Sequence, residues 1–166
     1  MSITEGAPAP DFTMPATGGR TVSLAGQRGR PFVLYFYPRA DTPGCTREAC
    51  AFQEALPQLG SIGVDVIGVS RDKISALERF AAKFSLTFPL ASDESGVAEA
   101  YGAWIEKTMY GKTSMGLDRS TILVDGKGRI ARIWRKVKVD GHAAAVQAAA
   151  QTFRSSAEAP AISAPR

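Results

Sequence analysis

At 166 residues, 45% of them hydrophobic and 22% charged, the chain suits one domain with a sizeable core and is too apolar to stay disordered. No apolar run approaches the ~20 residues of a membrane-crossing helix, and Met1-Ser2-Ile3-Thr4-Glu5-Gly6 lacks the basic-then-apolar pattern of a secretory signal, so a soluble cytoplasmic protein is expected. The net charge of +4 comes from scattered cations, and the densest cluster, Arg129, Arg132, Arg135, Lys136 and Lys138, reads as a solvated edge strand rather than a nucleic-acid surface.

Residues 1–10 read as an extended lead-in with two prolines. Residues 11–14 are a candidate strand, 15–20 carry turn chemistry, and 21–23 pair back as a hairpin. A Gly-rich connection over 24–30 leads to Pro31. It opens Phe32-Val33-Leu34-Tyr35-Phe36-Tyr37, an apolar run that fits a strand covered on both faces. Residues 47–59 predict a helix, with Pro57 and Gly60 as stop signals. Residues 64–70 predict a second strong strand. Residues 72–85 predict a helix capped by Asp72, with Ile74, Leu77, Phe80, Ala81 and Phe84 on one face.

A short strand is expected over 88–91, a turn over 93–96 and a helical turn over 97–101. Residues 102–117 read as an irregular loop, long enough to suggest that it serves a site. Strands over 120–124 and 130–137 flank Asp125-Gly126-Lys127-Gly128 as a hairpin. Asp140 is placed to cap a last helix reaching about Phe153, and 155–166 reads as a frayed, Ala/Pro/Ser-rich tail. The order implies an α/β domain over 1–154, with a mixed central sheet and helices on both faces.

Both cysteines lie in Pro38-Arg39-Ala40-Asp41-Thr42-Pro43-Gly44-Cys45-Thr46-Arg47-Glu48-Ala49-Cys50, where the central strand feeds a helix. A thiol in a helix's first turn meets unpaired N–H groups and the positive end of the helix dipole, which favour the nucleophilic thiolate. Pro43 suits a first helical position. Thr42 either caps that helix or offers its hydroxyl to a substrate. Asp41 sits where its charge opposes thiolate formation. Five residues of helix separate Cys45 from Cys50 by about 7.5 Å of rise and roughly 140° of direction, so a disulfide between them requires the helix to unwind locally. Two cysteines and one histidine leave too few ligands for a structural zinc site. His142 reads as solvent-exposed, and Trp104 as a packing anchor outside the site.

Pro38-x-x-x-Thr42-x-x-Cys45 resembles the active-site motif of the peroxiredoxins. With Thr46 to Cys50 it is similar to their bacterioferritin comigratory protein, or PrxQ, group. Counterparts of 64–70, Asp72-Lys73, Gly102, Trp104, Glu106-Lys107, Gly111-Lys112, Arg119-Ser120-Thr121 and the late hairpin follow in order, so the resemblance spans about residues 5–153. It implies a thioredoxin-like fold and a thiol peroxidase acting on hydrogen peroxide and organic hydroperoxides.

On that resemblance Cys45 is the peroxidatic cysteine and Cys50 the resolving one. Thr42 binds the peroxide, and Arg119 steadies thiolate and peroxide. Pro38 shields a pocket shared with Pro43 and Gly44, and Glu48 orients an arginine. The cycle runs through a Cys45 sulfenic acid and a Cys45–Cys50 disulfide, recycled by thioredoxin or a glutaredoxin-like dithiol. A monomer is implied, with no metal, flavin or haem and no nucleic acid or membrane. Two competing readings are a thioredoxin-like disulfide oxidoreductase, whose cysteines would be separated by two residues rather than four, and a redox sensor without turnover.

Overall fold

The computed structural model describes residues 3–163, with side chains described to residue 153. Nine strands and four helices follow one another as β1 (Thr13–Ala16), β2 (Arg20–Ser23), β3 (Phe32–Phe36), α1 (Pro43–Ser61), β4 (Asp65–Ser70), α2 (Ile74–Phe84), β5 (Leu90–Ser92), α3 (Val97–Ala100), β6 (Trp104–Met109), β7 (Lys112–Leu117), β8 (Ser120–Val124), β9 (Ile130–Trp134) and α4 (His142–Ser163). Seven strands form one sheet in the order β2-β1-β5-β4-β3-β8-β9. β3, β4 and β5 run parallel, β8 returns antiparallel to β3, and β9 pairs with β8. This is the mixed sheet of a thioredoxin-like α/β fold.

β3 lies mid-sheet, and all five of its residues are buried. Alternation sends its side chains to opposite faces. Val33, Tyr35 and, just past the strand, Tyr37 meet α1, α2 and α4. Phe32, Leu34 and Phe36 meet the N-terminal strands and the single turn of α3. Helices therefore cover both faces, unequally. Tyr35 stacks on Phe52 of α1, with ring centroids 4.6 Å apart, and this contact sets α1 against the sheet.

Several boundaries differ from expectation for local reasons. β1 begins two residues later than expected, and its Pro15 faces Thr21 across the edge pair. β5 starts at Leu90, past Pro89. α1 does not stop at Pro57. That proline is exposed, so its ring faces water, while Leu59 beyond it is fully buried and keeps the turn docked. β9 ends at Trp134 rather than Val137, because Lys136 takes a left-handed backbone with φ 46°. α4 continues to Ser163, beyond the expected end near Phe153; residues 164–166 of the expected tail lie outside the described residues.

The largest correction concerns 102–117. It is not an irregular loop but a separate two-stranded hairpin, β6–β7, closed by Tyr110-Gly111. Both turn residues have positive φ (52° and 76°), as a two-residue hairpin turn demands. The strands are mostly exposed, so no buried alternation marks them in sequence. Arg71, at the end of β4, lies 3.9 Å over the Trp104 ring and pins the hairpin to the domain. Trp104 is thus the anchor expected.

His142 is also corrected: it is buried, not exposed. Its Nε2 lies 2.7 Å from Thr121 Oγ1, and its ring stands edge-on to Phe52 and Trp134. Burial, with the Arg119 charge adding to it, pushes the imidazole down from 6.5 to about 4. The unfolded chain takes the proton first, so this residue's contribution to stability is present above 6.5 and is lost as pH falls toward 4. Urea midpoints are expected to drop between about pH 7 and about pH 5, with a flatter response in a His142→Asn variant. Equal slopes in the two proteins would remove His142 from this role.

Candidate active site

The register of the sheet assembles the site. Phe36 at the end of β3 faces Ser120 at the start of β8 and Val69 near the end of β4. The β3–α1 loop, Arg119 and Asp72 are thereby brought to the same edge. Asp72 does not cap α2, which starts after Lys73. Its carboxylate instead accepts the Ala40 N–H at 2.7 Å and the Ser70 hydroxyl at 2.7 Å, fixing the loop that leads to the thiol. Asp41 bends in a left-handed conformation and pairs with Lys83 at 3.0 Å, so its charge is met by a cation beside the site.

Thr42 is extended and precedes α1, whose first residue is Pro43. Its side chain makes no cap. The hydroxyl donates to the Arg39 carbonyl at 2.8 Å, leaving oxygen lone pairs to accept from a ligand. Cys45 is the third helical residue and is 2% exposed. Arg119 Nη2 donates to its sulfur at 3.4 Å. Gly44 makes that approach possible: a Cβ there would lie 3.3 Å from Arg119 Nη2. Pro38 and Pro43 stand exposed along the loop and Gly44 is half-buried.

Glu48, one turn after Cys45, is 1% exposed and accepts Arg119 Nη1 at 2.7 Å. Burial pushes its carboxyl from 4.5 up to about 7, against the opposing charge and hydrogen bond of Arg119. Burial alone would lower the Arg119 guanidinium, but Glu48 and Cys45 outweigh it and raise it further. Arg119 therefore stays a cation wedged between a thiol and a carboxyl. Cys50 is half-buried on the continuous α1, and both thiols are free.

One support has no sequence signal. Arg135, a solvated cation on its sequence context, is half-buried and donates to Ser120 Oγ at 3.1 Å and to the Tyr101 carbonyl at 2.6 Å. Ser120 in turn donates to Asp118 at 3.1 Å, and the Arg119 carbonyl accepts Val137 N–H at 2.9 Å. These bonds hold the strand start that presents Arg119. Asp140 does not cap α4; it pairs with Arg47 of α1 at 3.1 Å, while Gly141 accepts the first helical bond from Ala145.

A thioredoxin-like sheet that presents a buried helix-start cysteine to an arginine 3.4 Å from its sulfur is the arrangement of a cysteine peroxidase. The comparisons agree. The AhpC/TSA family profile matches residues 6–133. A putative peroxiredoxin Bcp of Coxiella burnetii is 46% identical over 147 residues, 88% of this chain and 97% of that relative. The peroxiredoxin Bcp of Bacillus subtilis is 42% identical over 95% of this chain and 99% of its own. A Xylella fastidiosa PrxQ mutant superposes with a TM-score of 0.87 at 35% identity, covering 92% of this chain and 98% of the other. A Xanthomonas campestris bacterioferritin comigratory protein, described for its alkyl peroxide reduction activity, gives 0.83 at 40% identity, covering 86% and 92%. The chain belongs to the AhpC/TSA family, as a peroxiredoxin of the Bcp/PrxQ group, and is a thiol peroxidase. Among the described residues no helix is long and apolar enough to cross a membrane.

Proposed function

We propose that Cys45 reduces hydrogen peroxide and organic hydroperoxides, and that Cys50 resolves the product. The observation that carries this reading is Arg119, held by Glu48 at 2.7 Å and aimed at the Cys45 sulfur at 3.4 Å. The thiolate attacks one peroxide oxygen as the O–O bond breaks. Negative charge builds on the leaving oxygen, where Arg119 and the first N–H groups of α1 are preorganised donors. Thr42 accepts a hydrogen bond from the peroxide O–H while donating to the Arg39 carbonyl, which fixes the direction of the peroxide. Pro38, Pro43 and Gly44 form the rim of this pocket.

Cys45 is left as a sulfenic acid. It condenses with the Cys50 thiol, forming the S–S bond and releasing water. α1 must unwind around residues 43–50 for this to happen, since its helical rise holds the two positions about 7.5 Å apart. A dithiol protein, thioredoxin or a glutaredoxin-like reductant, then restores both thiols by exchange. Residues 1–154 form the catalytic unit, acting as a monomer in the cytoplasm, and 155–166 lie outside it.

The test is peroxide consumption coupled to thioredoxin and its reductase. Wild type is expected to turn over and to yield an intramolecular disulfide by mass spectrometry after peroxide alone. Cys50→Ser is expected to keep a first peroxide burst and to lose thioredoxin-coupled turnover by at least about tenfold. Unchanged coupled turnover in Cys50→Ser would remove it as the resolving residue.

A further inference from the structure

The peroxidase cycle leaves the titration of Glu48 unused. Its side chain is 1% exposed; Oε1 accepts from Arg119, and Oε2 meets no partner among the described residues. Two acids therefore converge on one guanidinium, the Cys45 sulfur on Nη2 and the Glu48 carboxyl on Nη1. One positive charge neutralises one anion. With both ionised, net negative charge would remain beside Tyr35, Ala49 and Phe52, all fully buried. A bare carboxylate oxygen with no donor is costlier there than a neutral hydroxyl. The other titratable groups around the carboxyl bring no positive charge: Tyr35 of β3 and Tyr37 just beyond it are neutral phenols that burial pushes further up, and His142 of α4 is neutral.

We infer that Glu48 holds a proton while Cys45 is a thiolate and gives it up as peroxide is reduced, matching the proton that the leaving oxygen takes. This rests on the assignment of Cys45 and Cys50 above. Forming the sulfenic acid takes the charge off sulfur and leaves Arg119 to the Glu48 carboxylate alone; the later unwinding between the two cysteines then moves that carboxylate toward water. There the burial that pushes it up to about 7 is gone, and an ordinary carboxyl ionises.

The balance closes. The reduced site starts as Cys45 thiolate, Cys50 thiol and Glu48 carboxylic acid. Sulfur bonds to one peroxide oxygen, the O–O bond breaks, and its electron pair leaves on the other oxygen, which takes one proton to become an alcohol or water while Glu48 releases one. Cys50 then displaces the sulfenic hydroxyl, which departs as water with the Cys50 proton. The products are disulfide, alcohol or water, a further water and Glu48 carboxylate. Were Glu48 already ionised, that proton would come from solvent.

The experiment is a single turnover of reduced protein with hydrogen peroxide at about pH 6, a unit below the Glu48 carboxyl, in weak buffer with an indicator dye. Cys45 thiolate is followed by its ultraviolet absorbance, and disulfide by thiol titration. Wild type is expected to take up well under half a proton per disulfide, and Glu48→Gln roughly one. Equal uptake in the two proteins overturns the inference. If Glu48→Gln folds poorly, the wild-type infrared difference between oxidised and reduced forms decides. Loss of a protonated-carboxyl band on oxidation supports the inference, and its absence overturns it. Failure to form a disulfide would show in the thiol count and would sink the cysteine assignments themselves.

Discussion

Cys45→Ser is expected to lose peroxide reduction by at least about 10³-fold, with its fold intact. The reason is chemical rather than structural. A serine hydroxyl fits the same buried third position of α1 and can still accept from Arg119. It does not ionise near neutral pH, and its oxygen is a poor nucleophile toward a peroxide. All the preorganised donors would then surround an atom that cannot attack. Stopped-flow peroxide consumption measures this directly. Retention of more than about one tenth of wild-type activity would move the reacting group away from Cys45.

Arg119→Met is expected to lower kcat/KM for hydrogen peroxide by about 10²- to 10³-fold, the usual cost of removing a preorganised donor to a developing oxyanion. Methionine keeps much of the stem but neither N–H group, so both the 3.4 Å contact to sulfur and the 2.7 Å contact to Glu48 disappear. Arg119→Lys is expected to recover only part of the loss. One ammonium on a flexible stem cannot address thiol and carboxyl from two fixed directions as a planar fork does. A Met variant within about threefold of wild type would show that the helix N-terminus alone carries the chemistry.

The parts of this site that sequence reveals are those written in consecutive residues. Thr42, Pro43, Gly44 and Cys45 lie within one turn at a strand-to-helix junction, and local geometry ties them together. Arg119 is different: a lone arginine before a strand carries no local signal, and only the family resemblance singles it out. Its supports were missed because they are tertiary. Arg135 reads as one more surface cation until β8, β9 and the end of α3 place Ser120 and the Tyr101 carbonyl within its reach. Asp72 resembles a helix cap until the β3–α1 loop supplies the Ala40 N–H. His142 looked exposed because its burial depends on Phe52 and Trp134, from two other elements. The sheet is legible through the apolar runs of β3 and β4 and through the Asp125–Gly128 turn of the late hairpin. β6 and β7 are not, since a mostly exposed hairpin need not alternate.

The contact between Arg119 and Cys45 spans 74 residues of chain. A ribosome releases the cysteine well before it has made the arginine, and longer still before β8 can add to β3. Until then the sulfur belongs to an open segment and has the modest reactivity of any cysteine in a peptide. The thiol meets Arg119 only when the sheet closes and α1 buries it. The full set of donors around the sulfur is thus a property of the finished fold.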